Sequence, residues 1–274
     1  MRVPDWLIYS GVAGALLVAS LVGRENADAP SASSGQRNPA EAESPLLGPV
    51  TPFDPSVTIE APEGFEPSAG TAFSIGESGR WVTARHVVEG CAKPALVIGA
   101  GRAIAASVRL AVKADIAVLL TEGGPPALPV QAEAALRLGT RVFHPGFPQG
   151  RPGEVSSLLL GRETLHVRGR DRRAEPVLVW AEVGRTKGLE GTLAGLSGAP
   201  AIDREGRVLG VTIAESPRRG RIYTTAPETF GPAIRGVAAP APPFDDLVST
   251  ENYGRVSDRL RRDLRVAQVV CLSI

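Results

Sequence analysis

Cysteine is nearly absent from this chain: Cys91 and Cys271 are the only two among 274 residues. No CxxC pair and no Cys/His cluster occurs, so the spacings that close a zinc site are missing and no metal site is expected. Two cysteines are compatible with one disulfide in an oxidising compartment or with two small buried thiols, and the sequence leaves both open. Aromatic residues make up only 5%, so a core must be built mainly from Val, Leu, Ile and Ala. An excess of charge of either sign is also missing, since 30 basic and 29 acidic side chains leave +1. Without a concentrated basic surface, nucleic acid is not an expected partner. Arginines cluster at 168–173 and 218–221 beside Gly or Pro, which reads as solvated hairpin tips. No cofactor is expected, and nothing in the sequence bears on oligomeric state.

What is present divides the chain. Residues 1–23 read as a membrane anchor or signal segment, because Trp6 to Val22 is apolar and uncharged. That run sits at the lower limit for crossing a hydrocarbon core of about 30 Å and exceeds a usual signal-peptide core, which favours an uncleaved transmembrane helix. A signal peptide cut after Ser20 is the competing expectation. Residues 24–56, rich in Ala, Ser, Pro and Glu, read as a disordered tether. From 57 to 240 short β-branched and apolar runs alternate with turn residues, as in 71–75, 80–84, 95–99, 116–120, 177–183 and 207–213. Such spacing predicts a sandwich or barrel, with tight turns at 76–79 and 203–206. In the last segment, 241–274, Tyr253, Val256, Leu260 and Leu264 mark one face of a helix expected to dock on the domain.

Three positions carry possible chemistry. Ser197 lies in GLSGAP, where flanking glycines allow the N–H groups of Gly195 and Ser197 to converge on one point, as an oxyanion hole requires. His86 follows an apolar strand in WVTARHVV, and Asp115 opens another in KADIAVLL. A serine hydroxyl needs a base, and the base needs a carboxylate to fix its tautomer; the chain supplies His, Asp and Ser in that order. An α/β-hydrolase order, which begins with Ser, is disfavoured. His144 and His166 have no comparable setting and are assigned to structure or solvent.

The combination resembles the trypsin-like serine peptidase superfamily, particularly the bacterial Deg/HtrA-type protease domain without a PDZ module. GTAFSIGESGRWVTARHVV, ADIAVLL, ALRLGTRVFHPGFPQG and GLSGAPAIDREGRVLGVTI carry the resemblance, from about Ala69 to Pro227. It implies a mainly β fold of two six-stranded antiparallel barrels, here with an N-terminal transmembrane helix and a C-terminal helical segment. It further implies a serine endopeptidase acting on protein or peptide substrates through an acyl-enzyme, with His86 as base, Asp115 as orienting carboxylate, Ser197 as nucleophile and Gly195 as oxyanion donor. The primary pocket falls on Gly191 and Thr192, so small to medium apolar P1 residues are expected; a one-residue shift to Glu190 would favour basic ones. Leu196 departs from the usual Asn or Asp and cannot pair with a newly freed amino terminus. The membrane is an expected partner, with the catalytic domain extracytoplasmic, periplasmic in a Gram-negative cell, or secreted if the segment is cleaved. The alternative is an inactive protease fold that binds peptides.

Overall fold

The computed structural model describes residues 44–60, 69–76, 78–169 and 172–272. Among these residues, fourteen strands are arranged in two seven-stranded sheets. The first contains β2 (Ala69–Gly76), β3 (Arg80–Thr83), β4 (Pro94–Gly99), β5 (Arg102–Ala105), β6 (Ser107–Leu110), β7 (Ala117–Leu120) and β14 (Val266–Cys271), in the order β5-β4-β14-β2-β3-β7-β6. The second contains β1 (Ser56–Glu60), β8 (Arg141–Gly146), β9 (Gly153–Arg168), β10 (Arg173–Arg185), β11 (Pro200–Ile202), β12 (Val208–Ser216) and β13 (Arg221–Thr225). Its order is β1-β9-β10-β13-β12-β11-β8, and β9 also pairs with β8, so this sheet curls back on itself.

The expected pair of six-stranded antiparallel barrels is therefore corrected. The first sheet is open, its end strands β5 and β6 each pairing with one neighbour. It gains β14 from a segment expected to be tail, because Val266, Ala267 and Val269 are buried between β2 and β4. The second sheet gains a parallel edge strand, β1, registered against Thr164–Arg168. The anchor expected within 1–23, and most of the tether, lie outside the described residues. Among the described residues no helix is long and apolar enough to cross a membrane. The described structure therefore offers no support for the expected transmembrane helix, for the membrane as partner or for a membrane-anchored localisation, and these expectations are not carried further.

Period-two alternation makes the strands serve two cores. Along β10, Val177 and Val179 join the large cluster with Ile116, Val87 and Leu165, while Leu178 and Trp180 join Val155, Leu159 and Leu209 inside the curled sheet. Helix α1 (Arg85–Val88) is one turn after β3, α2 (Pro227–Ile234) follows β13, and α3 (Tyr253–Arg262) precedes β14. The apolar face of α3 buries Tyr253, Val256 and Leu260, with Tyr253 stacked on Phe143 at 5.0 Å. Leu264, at φ 55, ends the turn and directs the chain into β14. Cys91 and Cys271 are joined as a disulfide, with Cα atoms 5.7 Å apart, stapling β14 to the segment after α1.

Candidate active site

Strand pairing brings two of the candidate residues together. β3 and β7 are antiparallel neighbours, with Thr83 opposite Ala117, so the residues just past the end of one strand meet those just before the start of the other. His86 Nδ1 stands 2.7 Å from Asp115 Oδ2, and the His86 backbone N–H donates to Asp115 Oδ1 at 2.9 Å. The Asp115 side chain is almost wholly buried, whereas that of His86 is 40% exposed and can meet an incoming group. Burial disfavours the charged form of each. For His86 the Asp115 carboxylate, by charge and hydrogen bond, outweighs burial and raises the imidazole pKa. For Asp115 the histidine and Arg173 outweigh it and lower the carboxyl pKa.

Ser197 reaches the same neighbourhood from the second sheet. Its carbonyl accepts the N–H of Thr71 on β2 at 2.8 Å, and the Gly198 N–H donates to Thr212 O at 2.7 Å. Gly198 has φ +90, and a Cβ there would lie 1.9 Å from Thr71 O and 2.4 Å from Thr83 Oγ1, so only glycine lets the serine loop close on β2 and β3. A Cβ built on Gly70 would meet both Ser197 O at 2.9 Å and the Val87 side chain at 2.7 Å, which puts the serine beside the residue following His86. No hydrogen bond joins His86 to Ser197 among the described residues.

The loop before the serine is turned by Gln149, whose N–H holds Ala194 O at 2.5 Å. A planar trans peptide sends its N–H opposite to its carbonyl, so the Gly195 N–H faces away from Gln149. Among the described residues neither the Gly195 nor the Ser197 N–H donates to a protein acceptor. Gly195 itself, at φ +95, could not carry a Cβ, which would lie 2.5 Å from Phe147 O.

Beside Ser197 lies a cavity of about 30 Å³ lined by Leu193, Ala194, Leu196, Thr212, Ala214, Glu215 and Ile222. Gly191 and Thr192 are not among these residues. The Gly191 carbonyl accepts from Arg185 at 3.0 Å, and the Thr192 hydroxyl donates to Glu215, which also accepts the Leu193 N–H at 2.7 Å. Glu215 had no sequence signal, because only the fold of β12 turns it toward the loop. Leu196 is 1% exposed within the core of the second sheet. His144 is fully buried, with Nδ1 2.9 Å from Thr212 Oγ1 and Nε2 2.7 Å from Ser157 Oγ, while His166 is exposed. Among the described residues no cluster of His, Cys, Asp or Glu could hold a metal.

One group at the site reverses an expectation. Arg173, read as part of a solvated tip, has a side chain only 14% exposed and contacts Asp115 Oδ2 at 2.8 Å. Glu175 is buried beside it. An Arg and a Glu two apart at the opening of an apolar strand were the available signal, since side chains i and i+2 share one face.

An open β-sheet and a curled one, with histidine and aspartate beside strands of the first and serine on a loop leading into a strand of the second, define a trypsin-like fold. The chain belongs to the trypsin-like peptidase superfamily: the family model described as Trypsin-like peptidase domain matches residues 70–211. The uncharacterized protein y4bJ of Sinorhizobium fredii is 30% identical over 69% of this chain, which spans 29% of that protein's length. Among solved structures, the Rv3671c protease from M. tuberculosis in its active form is 21% identical, covering 75% of this chain and 98% of that one, with a TM-score of 0.50. The HtrA-type protease AlgW with a decapeptide is 18% identical over 57% of this chain and 47% of that one, with a TM-score of 0.46. At 21% identity the Rv3671c structure bears on the fold alone.

Proposed function

We propose that this chain is a serine endopeptidase in which Ser197 attacks the scissile carbonyl, His86 acts as general base and Asp115 fixes the imidazole, with residues 57–240 as the peptidase domain. The observation that carries the reading is the double hold of Asp115 on His86, at 2.7 Å through the ring and 2.9 Å through the backbone. It leaves Nε2 to take the Ser197 proton. The new oxyanion is received by the N–H groups of Gly195 and Ser197, and the proton passes to the leaving amine as the C–N bond breaks. Water, deprotonated by His86, then attacks the ester, releasing the acid and restoring the serine. Leu196 is buried, so activity requires no pairing with a freed amino terminus.

The small cavity beside Ser197 supports small apolar P1 residues. Hydrolysis of a peptide library by wild type, lost in Ser197→Ala, tests the reading, and a profile dominated by Arg and Lys would overturn the P1 assignment. A second reading, a peptide-binding protein without chemistry, is favoured by the absence of a His86–Ser197 hydrogen bond. Peptide binding without cleavage by wild type would establish it.

A further inference from the structure

The Asp115 carboxylate has more partners than His86. Its Oδ2 accepts from His86 Nδ1 at 2.7 Å and from Arg173 Nη2 at 2.8 Å. Its backbone N–H donates to both oxygens of Glu175, at 3.1 and 3.2 Å, and Arg173 Nε donates to Glu175 Oε1 at 3.2 Å. Arg173 and Glu175 begin β10, so both come from the second sheet, whereas Asp115 and His86 come from the first. They are held there by the far end of the β9–β10 hairpin, where Leu165, Val167 and Val177 are buried in the cluster that also contains Ile116 and Val87.

We propose that Arg173 and Glu175 are positioning residues for the reaction, which clamp Asp115 from behind and set the basicity of His86 in opposite directions. This rests on the peptidase reading for its catalytic consequence, but not for its electrostatics. A guanidinium on Oδ2 draws charge from the oxygen that stabilises the imidazolium, which weakens the base. A carboxylate on the other side of the guanidinium restores part of that charge. Among the described residues the charged groups acting on His86 from the elements around it are Asp115, Arg173 and Glu175, and the last two act on its pKa with opposite signs. Burial and the nearby Asp115 push the Glu175 carboxyl up to about 7, so its charge changes near neutrality.

The test follows the His86 imidazole by NMR titration in the full chain, with kcat/KM against pH measured beside it. Glu175→Gln keeps the shape and removes the negative charge, and its His86 transition and the acid limb of kcat/KM are expected to move to lower pH. Arg173→Gln is expected to move both to higher pH, each shift being on the order of one pH unit. Arg173→Lys, which keeps the charge, is expected to titrate near wild type. A single variant strands a buried charge and can unfold, so the double variant Arg173→Gln/Glu175→Gln is included; removing a buried pair together is better tolerated. Its transition is expected between those of the two single variants. Shifts of the same sign, or none in any folded variant, would overturn the proposal and leave the pair a structural staple. The imidazole titration reads out even if the protein cleaves nothing, so failure of the peptidase reading is seen separately, as shifts without activity.

Discussion

Two polar centres of this molecule are each built around a histidine, and they are opposite in every physical respect. At the interface of the sheets, His86 is partly exposed and leans on a buried carboxylate, which raises its pKa. Inside the second sheet, His144 is bracketed by the hydroxyls of Thr212 and Ser157, edge-on to Trp180, and burial lowers its pKa to about 3. The difference shows that a nearby anion and an open ring nitrogen, rather than the imidazole itself, make a candidate base. His144 has both nitrogens engaged and, among the described residues, no counter-charge, so burial keeps it neutral and it holds strands β8, β9 and β12 together.

The largest effects are expected at the first centre. Ser197→Ala should lower kcat by about 10⁴ to 10⁶ with little change in thermal stability, and His86→Ala added to it should cost little more, because members of a relay are not additive. Asp115→Asn should lose roughly 10⁴ by favouring the wrong tautomer. Steady-state kinetics on one peptide substrate checks all three, and full activity in Ser197→Ala would abolish the distinction between the centres.

Next in size is the staple on the side of His86. The disulfide spans a sequence separation of 180 residues. Replacing both cysteines with alanine should cost up to about 5 kcal/mol on the chain-entropy model, seen as a lower denaturation midpoint. An unchanged midpoint would show that β14 is held by sheet pairing alone.

A smaller change is expected from His144→Gln, which leaves one hydroxyl poorly paired. It should destabilise by about 1–3 kcal/mol while leaving kcat within about tenfold of wild type. The pH dependence of the two histidines has opposite sign. His144 binds fewer protons folded than unfolded, so it costs stability as pH falls from 6.5 toward about 3. His86, with a raised pKa, contributes stability that is present below 6.5 and lost as pH rises through its folded value. Denaturation at pH 7 and pH 4 should therefore show the gap between wild type and His144→Gln shrinking in acid; a gap that widened would contradict the burial of a neutral ring.

Much of the fold was legible because it is local. The runs at 71–75, 80–84, 95–99, 116–120, 177–183 and 207–213 each fall in a strand to within one residue, and Gly79 and Gly206 have the positive φ their turns require. The meeting of His86 and Asp115 was legible from their order and the strands beside them. Sheet partners were not, because pairing joins residues distant in the chain. VAQVVC reads as tail until β2 and β4 enclose it, and SVTIE, at the expected start of the domain, has no readable partner until β9 offers an edge. The same limit hid Arg173 and Glu175, whose significance depends on a long hairpin folding over the first sheet. It also hid Glu215, which lines the cavity that the resemblance assigned to Gly191 and Thr192.

In the proposed reaction Ser197 is a nucleophile only because His86 activates it. Labelling with a fluorophosphonate, which reacts readily only with an activated serine, tests this directly when the modified residue is mapped in wild type and in His86→Ala. The label is expected on Ser197 in wild type and is expected to be lost in the variant. Wild type that stays unlabelled, or equal labelling of Ser197 without His86, would contradict it.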